Sequence, residues 1–359
     1  MMRAPSLRAS LTLALCCVSG WPVPTHAEEP PGRWNVVGAA KHDRYGAAAT
    51  LLPDGRVLLV GGYSYPKKRF ERSAEIWDGH SRKTTAAGVM GVPRVEHTAT
   101  ALLDGRVLVV GGEREGAEES GTLDSAEIWD PKTLRFTPTG NMREARRGHQ
   151  AILLDDGSVA VTGDAAGGQT VEVWEPSSGR WTEVPGSYAS DCHHSEITPL
   201  PRAAGLKAER CLGQKLKVSA WNASKGTPQD VAEINVPDLS RFLLVKGGEV
   251  FIVTDGRGYF LWNPRNNRQT PVARETGAAS SCDPAVNAAP NRVLCIASYG
   301  GRANTTLLDL TTMTVERTGV VSPRPFPPFV SLGDGRVFAT GGGKQLVVWI
   351  PRELGSQPK

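Results

Sequence analysis

The sequence is short of long apolar runs and of net charge, and each shortage excludes something. Past residue 27 no stretch approaches the ~20 consecutive apolar residues that a spanning helix needs, so the rest of the chain is not expected to cross a bilayer helically. No segment carries a helical hydrophobic period, and the apolar runs are short and bounded by turn residues, which argues for many strands. Formal charge is +4, falling to +2 once Arg3 and Arg8 are removed with a leader (4 − 2 = 2). So near a balance gives no reason to expect nucleic acid.

Residues 1–27 read as a secretory signal peptide. Arg3 and Arg8 precede the apolar run 11–18, and Thr25, His26 and Ala27 lead to Glu28. The apolar core is too short for a retained anchor, and Leu15 and Cys16, which precede the two leader cysteines, are not the small residues of a lipid-modified start. The mature chain, 28–359, is expected to be one domain, periplasmic or extracellular. It keeps Cys192, Cys211, Cys282 and Cys295, an even number that fits two disulfides in an exported protein.

Glycine is plentiful, and it falls in a pattern. Residues 94–112 read RVEHTATALLDGRVLVVGG and 125–130 read SAEIWD. Residues 98–103 and 106–110 are strands, with Asp104-Gly105 supplying the positive φ angles of a tight hairpin and Gly111-Gly112 ending the second. Residues 125–129 and 134–137 add a third and a fourth, so one unit is a small four-stranded sheet.

The unit recurs. Residues 44–78 match it closely, with Asp54-Gly55, Gly61-Gly62 and a second SAEIWD; residues 146–175 give a third copy with VEVWE. From Cys192 the pattern decays. The fourth unit keeps strands at 195–200 and 216–221, its hairpin turn replaced by a longer segment around 202–207. The fifth has 242–245, 250–254 and 259–263, the sixth has 285–288, 293–297 and 306–310, and the seventh restores GDGRVFATGGG and LVVWIP.

These units (43–90, 94–141, 146–187, 192–237, 240–275, 281–320 and 323–352) repeat at roughly 40–50 residues, the propeller range. The last lacks a fourth strand, and residues 34–38 are a strand without a sheet. The expected fold is therefore an all-β, seven-bladed β-propeller of four-stranded blades, closed by the N-terminal strand, which would remove the open edges.

The units resemble kelch repeats, whose signature is a glycine pair after the second strand and a Trp or Tyr farther on. The pairs are Gly61-Gly62, Gly111-Gly112 and Gly341-Gly342, with Thr162-Gly163 and Gly300-Gly301 as weaker versions; the aromatic is Trp77, Trp129, Trp174, Trp221, Trp262 and Trp349, with Leu308 in the sixth unit. The resemblance covers nearly all of the mature chain and implies a fold, because propellers host binding proteins and enzymes alike. The tryptophans are read as packing between sheets, Glu75, Glu127 and Glu172 as repeated structural hydrogen bonds or ion pairs, and His97 and His149 as structural.

In a hairpin the start of the first strand lies beside the end of the second, so blade-entry and post-Gly-Gly loops share one face. There Arg44, Arg94, Arg146 and Arg324 occupy equivalent positions near the channel mouth. They either hold a carboxylate, sulfate or phosphate bidentately, or tie each blade to a neighbouring carboxylate or carbonyl. The same face carries a basic loop, 63–72, with Tyr63, Tyr65, Lys67, Lys68 and Arg69, and an acidic one, 113–124, with Glu115, Glu118 and Glu119. Opposite charge on adjacent blades suits the orientation of a partner.

Cys192 is expected to pair with Cys211 and Cys282 with Cys295, although a strict two-residue turn at Pro290-Asn291 sets Val286 opposite Cys295. His193 and His194 are the weak alternative as metal ligands, since neighbours on a strand point to opposite faces. No cofactor and no metal are expected.

The first function expected is a non-enzymatic exported binding propeller, a monomer, recognising a protein or glycan through the loop-bearing face. No nucleophile–base constellation speaks for an enzyme. The alternative is a carbohydrate-active enzyme of the kelch type. Galactose oxidase is similar in fold, but its copper site uses tyrosines, one cross-linked to cysteine, and two histidines, whereas none of the six tyrosines here precedes a histidine. Periplasmic sialic-acid mutarotase is similar in being an exported kelch propeller, and its anionic sugar would suit an arginine-lined mouth. A third reading is a structural part of an envelope assembly.

Overall fold

The computed structural model describes residues 32–115, 121–163, 170–185, 192–200, 204–212, 215–222, 226–236, 239–244, 249–254, 258–272, 285–289, 291–299, 302–321, 326–341 and 344–351. Residues 1–27 lie outside them. Every regular element among the described residues is a β-strand, and none of their segments forms a helix long and apolar enough to cross a membrane. The strands form seven four-stranded antiparallel sheets and one two-stranded hairpin.

Six sheets follow chain order. The first joins Ala48–Leu51, Val57–Val60, Ser73–Asp78 and Lys83–Val89; the second joins Thr98–Ala101, Val107–Val110, Ala126–Asp130 and Arg135–Pro138. The seventh differs. Its strands Phe326–Ser331, Val337–Thr340 and Gln345–Pro351 are completed by Gly32–Ala39 from the other end of the chain, Gly32 opposite Pro351 and Trp34 opposite Trp349.

First strands of successive sheets pack side by side from the first sheet to the fifth and from the sixth to the seventh, which is the arrangement of a β-propeller. The second strands Val57–Val60, Val107–Val110, Val159–Thr162 and Val337–Thr340 are buried along their whole length, because both of their faces meet another sheet. Alternate residues serve opposite neighbours: Val57 and Leu59 join Phe338 and Val348 of the seventh sheet, whereas Leu58 and Val60 join Val107 and Val109 of the second. Trp77, Trp129, Trp174, Trp221, Trp262 and Trp349 are all buried in these seams, as expected. Each indole removes roughly 200 Å² from water, on the order of 5 kcal/mol before chain entropy is subtracted. Trp129 also donates its Nε1–H to the Ala87 carbonyl of the preceding sheet at 2.8 Å.

The hairpin turns differ from the expectation of two left-handed residues. Of Asp104-Gly105 only the glycine has positive φ, 86°. Its N–H donates to Leu102 O at 3.0 Å, and Leu102 N–H donates to Arg106 O at 2.8 Å, which makes a three-residue loop with a glycine bulge. Asp104 fixes the turn by accepting from the N–H of Arg106 at 3.0 Å.

The glycine pair is required by close approach. A Cβ on Gly61 (φ 65°) would lie 2.5 Å from the Arg94 carbonyl and 2.6 Å from the His97 ring of the next sheet, and Gly111 meets Arg146 and His149 in the same way.

Two expectations in the decayed units need correction. Residues around 202–207 are not simply a long turn, because Ala204–Cys211 is the second strand of the fourth sheet and Lys215–Asn222 the third. In the sixth sheet Ala285, not Val286, faces Cys295, since the ladder has an irregularity between Asn287 and Ala289. Cys282 lies outside the described residues.

Candidate functional site

Tyr45 bridges Tyr63, and Val95 bridges Glu113, which brings the sheet-entry loops and the post-Gly-Gly loops to one face as expected. The arginines on that face are not presented to a ligand. Arg44, Arg94 and Arg146 are 3%, 0% and 0% exposed. Arg44 Nη2 lies 2.7 Å from Glu75 Oε1, Arg94 Nη2 3.0 Å from Glu127 Oε1 and Arg146 Nη2 3.1 Å from Glu172 Oε1. Each also donates Nη1–H to the carbonyl of the first residue after its second strand: Gly61 at 2.7 Å, Gly111 at 2.7 Å and Gly163 at 3.1 Å.

The three carboxylates are equally committed. Each accepts two backbone N–H groups from the loop entering its own sheet: Lys41 and His42 on Glu75, Gly91 and Val92 on Glu127, Arg143 and Glu144 on Glu172. Buried charge persists because each guanidinium is paired with a carboxylate and also donates to a carbonyl and to a hydroxyl, of Ser73, Ser125 or Thr170. Of the two roles open to these arginines, an anion site or a tie to a neighbouring carboxylate or carbonyl, Arg44, Arg94 and Arg146 take the tie. Arg324, the fourth of the set, lies outside the described residues.

His97 and His149 are buried at the seams, and burial pushes both imidazoles down, His149 to about 3, with the charges of Arg94 on His97 and of Arg146 on His149 acting in the same direction. His149 Nε2 lies 3.0 Å from the Thr98 hydroxyl. Both rings are neutral packing groups.

The basic loop is the built feature of the face. Tyr63–Ser64 pairs with Arg69–Phe70 as a two-stranded hairpin, and Glu71 N–H donates to Gly62 O at 2.7 Å. Tyr63 stands edge-on to Tyr65 at 5.0 Å and to Phe70 at 5.5 Å between ring centroids, and Tyr65 edge-on to Tyr45 at 5.6 Å. Tyr45 and Tyr65 are 50% and 59% exposed, large values for aromatic rings, and Lys67, Lys68 and Arg69 are exposed beside them. The hairpin's carboxylate, Glu71, is 3% exposed and is spent on Lys67 at 3.0 Å and Arg69 at 3.6 Å. What reaches solvent is aromatic and cationic.

The acidic loop stands next to it. Glu115 Oε2 accepts from Phe70 N–H at 3.4 Å, and Glu113 pairs with Arg147 of the third sheet's entry. Glu118 and Glu119 lie outside the described residues.

In the fourth sheet Cys192 lies directly across the ladder from Cys211, and Cys211 and Cys295 are bridged cysteines. The side chains of His193 and His194 lie outside the described residues; among the described ones no group of three or more His, Cys, Asp or Glu could hold a metal ion.

Sequence reasoning missed Tyr45, His42 and Phe70, which join the hairpin's cluster, and the buried pair Lys207–Glu209, 2.6 Å apart in the seam facing the third sheet. Glu209 follows Ala208, which faces Glu196, as Gly61 follows Val60, which faces Ala48, so a charged residue takes the first glycine's place. The repeat itself was the available signal.

A family model for the kelch motif matches residues 94–143. Among solved structures, a fungal alcohol oxidase of the AA5 family, determined in complex with copper, is similar with a TM-score of 0.68 and 15% identity, over 92% of this chain and 79% of that one. At that identity the likeness is one of fold. No curated protein matches by sequence.

Proposed function

Because this chain is a kelch-repeat β-propeller, we propose that it serves as an exported binding module, engaging a protein or glycan partner through the face that carries the entry and post-Gly-Gly loops. The observation that carries the proposal is the hairpin at residues 63–70. Two exposed tyrosines and three exposed cations stand on a platform braced by ring packing and by a buried carboxylate. Tyrosine and arginine are enriched among the residues that carry binding energy, and rings already held by packing lose little side-chain entropy on contact.

The proposal includes a ring of seven blades closed by the N-terminal strand. The apolar seam shared by Trp77, Val57, Phe338 and Val348, and the pairing of Trp34 with Trp349, support that closure. It also includes the disulfides Cys192–Cys211 and Cys282–Cys295, the first supported by the ladder register, and removal of residues 1–27 on export.

The reading as an enzyme acting on an anionic sugar is weaker, since it drew on four guanidinium groups at the channel mouth and three of them are committed to carboxylates of their own sheets.

The test is a comparison of the wild type with a Tyr65→Ala/Lys68→Ala/Arg69→Ala variant on arrays of neutral and acidic oligosaccharides, and in recovery of proteins from the exported fraction. Binding lost in the variant supports the proposal; a ligand bound equally by both proteins removes it.

A further inference from the structure

The hairpin that carries Tyr65 is fastened by one ammonium group shared between two acceptors. Lys67 Nζ lies 2.6 Å from Nδ1 of His42 and 3.0 Å from Oε1 of Glu71. His42 belongs to the loop entering the first sheet, where its backbone is pinned by donating N–H to Glu75 Oε1 at 3.2 Å. Glu71 belongs to the hairpin and ties it down through the Gly62 carbonyl. Lys67 therefore links a fixed loop to a projecting one.

An ammonium only donates, so the imidazole that faces it must be the acceptor and hence neutral. Protonation of Nδ1 turns that acceptor into a donor and sets two cations against each other at the Lys67 contact. His42 Nδ1 is also 3.8 Å from Glu71 Oε1, the oxygen that Lys67 holds and that Arg69 Nε approaches to 3.6 Å. Three cations then compete for one buried oxygen. His42 is on a fixed backbone with 31% of its side chain exposed, while Lys67 and Arg69 have 40% and 58% exposed and can move into water.

We propose that His42, Lys67 and Glu71 form an acid-released latch, in which neutral His42 holds the hairpin in place and protonated His42 takes over Glu71 and expels Lys67. Its consequence for binding rests on the hairpin being the recognition surface; the latch itself is a property of the free protein.

The charged groups facing His42 are Glu71, Lys67, Arg44 and Glu75. Burial, Lys67 and Arg44 move its titration below the ordinary histidine value, against the pull of Glu71 and Glu75, so release falls on the acid side of that value. Burial alone would push the Glu71 carboxyl up, but its hydrogen bond from Lys67 and the charges of His42, Lys67 and Arg69 outweigh this and hold it down, so it is ionised when His42 protonates.

Hydrogen exchange tests the latch without any partner. The amides to follow are Tyr63 and Glu71, which donate to Tyr45 O and Gly62 O, both at 2.7 Å. After correction for intrinsic exchange, the wild type should lose about tenfold in protection there between pH ~7.5 and pH ~5. His42→Gln, which keeps an acceptor for Lys67 and cannot be charged, should stay protected at both values, and Lys67→Ala should be unprotected at both. Equal wild-type protection at the two pH values overturns the proposal. So does an acid loss that persists in His42→Gln, or full protection in Lys67→Ala. Each of these leaves the binding proposal standing, whereas a working latch together with unchanged binding by the Tyr65→Ala/Lys68→Ala/Arg69→Ala variant removes only the binding proposal.

Discussion

Replacing Glu127 by glutamine keeps the shape of the side chain and removes one negative charge at a place where Arg94 has no contact with water. Glu127 accepts from Arg94 Nη2 at 3.0 Å, from Gly91 N–H at 2.8 Å and from Val92 N–H at 3.3 Å. A glutamine has one acceptor oxygen for these donors and turns an amide group toward others. Arg94 would keep only the carbonyls of Gly111 and Ser125 and the Ser125 hydroxyl, at 2.7, 3.0 and 3.2 Å, none of which carries charge. Breaking a buried pair on one side costs about 3–5 kcal/mol, because the remaining ion is left uncompensated. In urea unfolding Glu127→Gln should lose that amount, while Arg94→Met/Glu127→Met, which removes both charges, should return to within about 2 kcal/mol of the wild type. A loss under about 1 kcal/mol for Glu127→Gln would refute the reasoning and reopen Arg94 as a ligand group.

Gly61→Ala should cost about 3 kcal/mol or more, since its Cβ meets a carbonyl of the next sheet at 2.5 Å, whereas Gly55→Ala, also at positive φ but with nothing within 4 Å, should cost about 1 kcal/mol; thermal unfolding of the two variants separates close approach from backbone strain. His97 and His149 titrate in the fold below the ordinary histidine value, so the unfolded chain binds more protons in acid. The stability they contribute is full above pH ~6.5 and is lost as pH falls from there toward about 3 for His149, at up to ~1.4 kcal/mol per pH unit per histidine. Urea midpoints measured against pH should show this slope, and His149→Gln should reduce it. A non-reducing peptide map should recover Cys192 with Cys211 and Cys282 with Cys295; any other pairing removes that assignment.

The clear repeats were legible because turn, glycine pair and buried Trp each have one physical cause wherever they occur. Ala204–Cys211 escaped because Lys207 and Glu209 stand at positions that elsewhere hold Leu59 and Gly61, and the two charges satisfy each other in the seam. The arginines were placed on the right face, with an anion site and a tie to a neighbouring carboxylate both left open. Repeat position does not tell whether a guanidinium turns toward the mouth or folds back into its own sheet. The co-occurrence of Arg44, Arg94 and Arg146 with Glu75, Glu127 and Glu172 in the same units was the sign of pairing, and the seventh unit has Val347 at the glutamate position. The latch could not be read, since His42 and Lys67 are separated by a whole hairpin and meet only when both loops fold onto one face.

The most direct measurement places a photocrosslinking benzophenone side chain at Tyr65 in one variant and at Leu103 in another, and irradiates both in the producing cells. Leu103 is 68% exposed in the hairpin turn on the opposite face, so it reports nonspecific encounter. The account predicts a discrete adduct from position 65 that is absent from position 103 and lost when Lys68 and Arg69 are changed to alanine. Adducts of equal yield from both positions, or from position 103 alone, would contradict it.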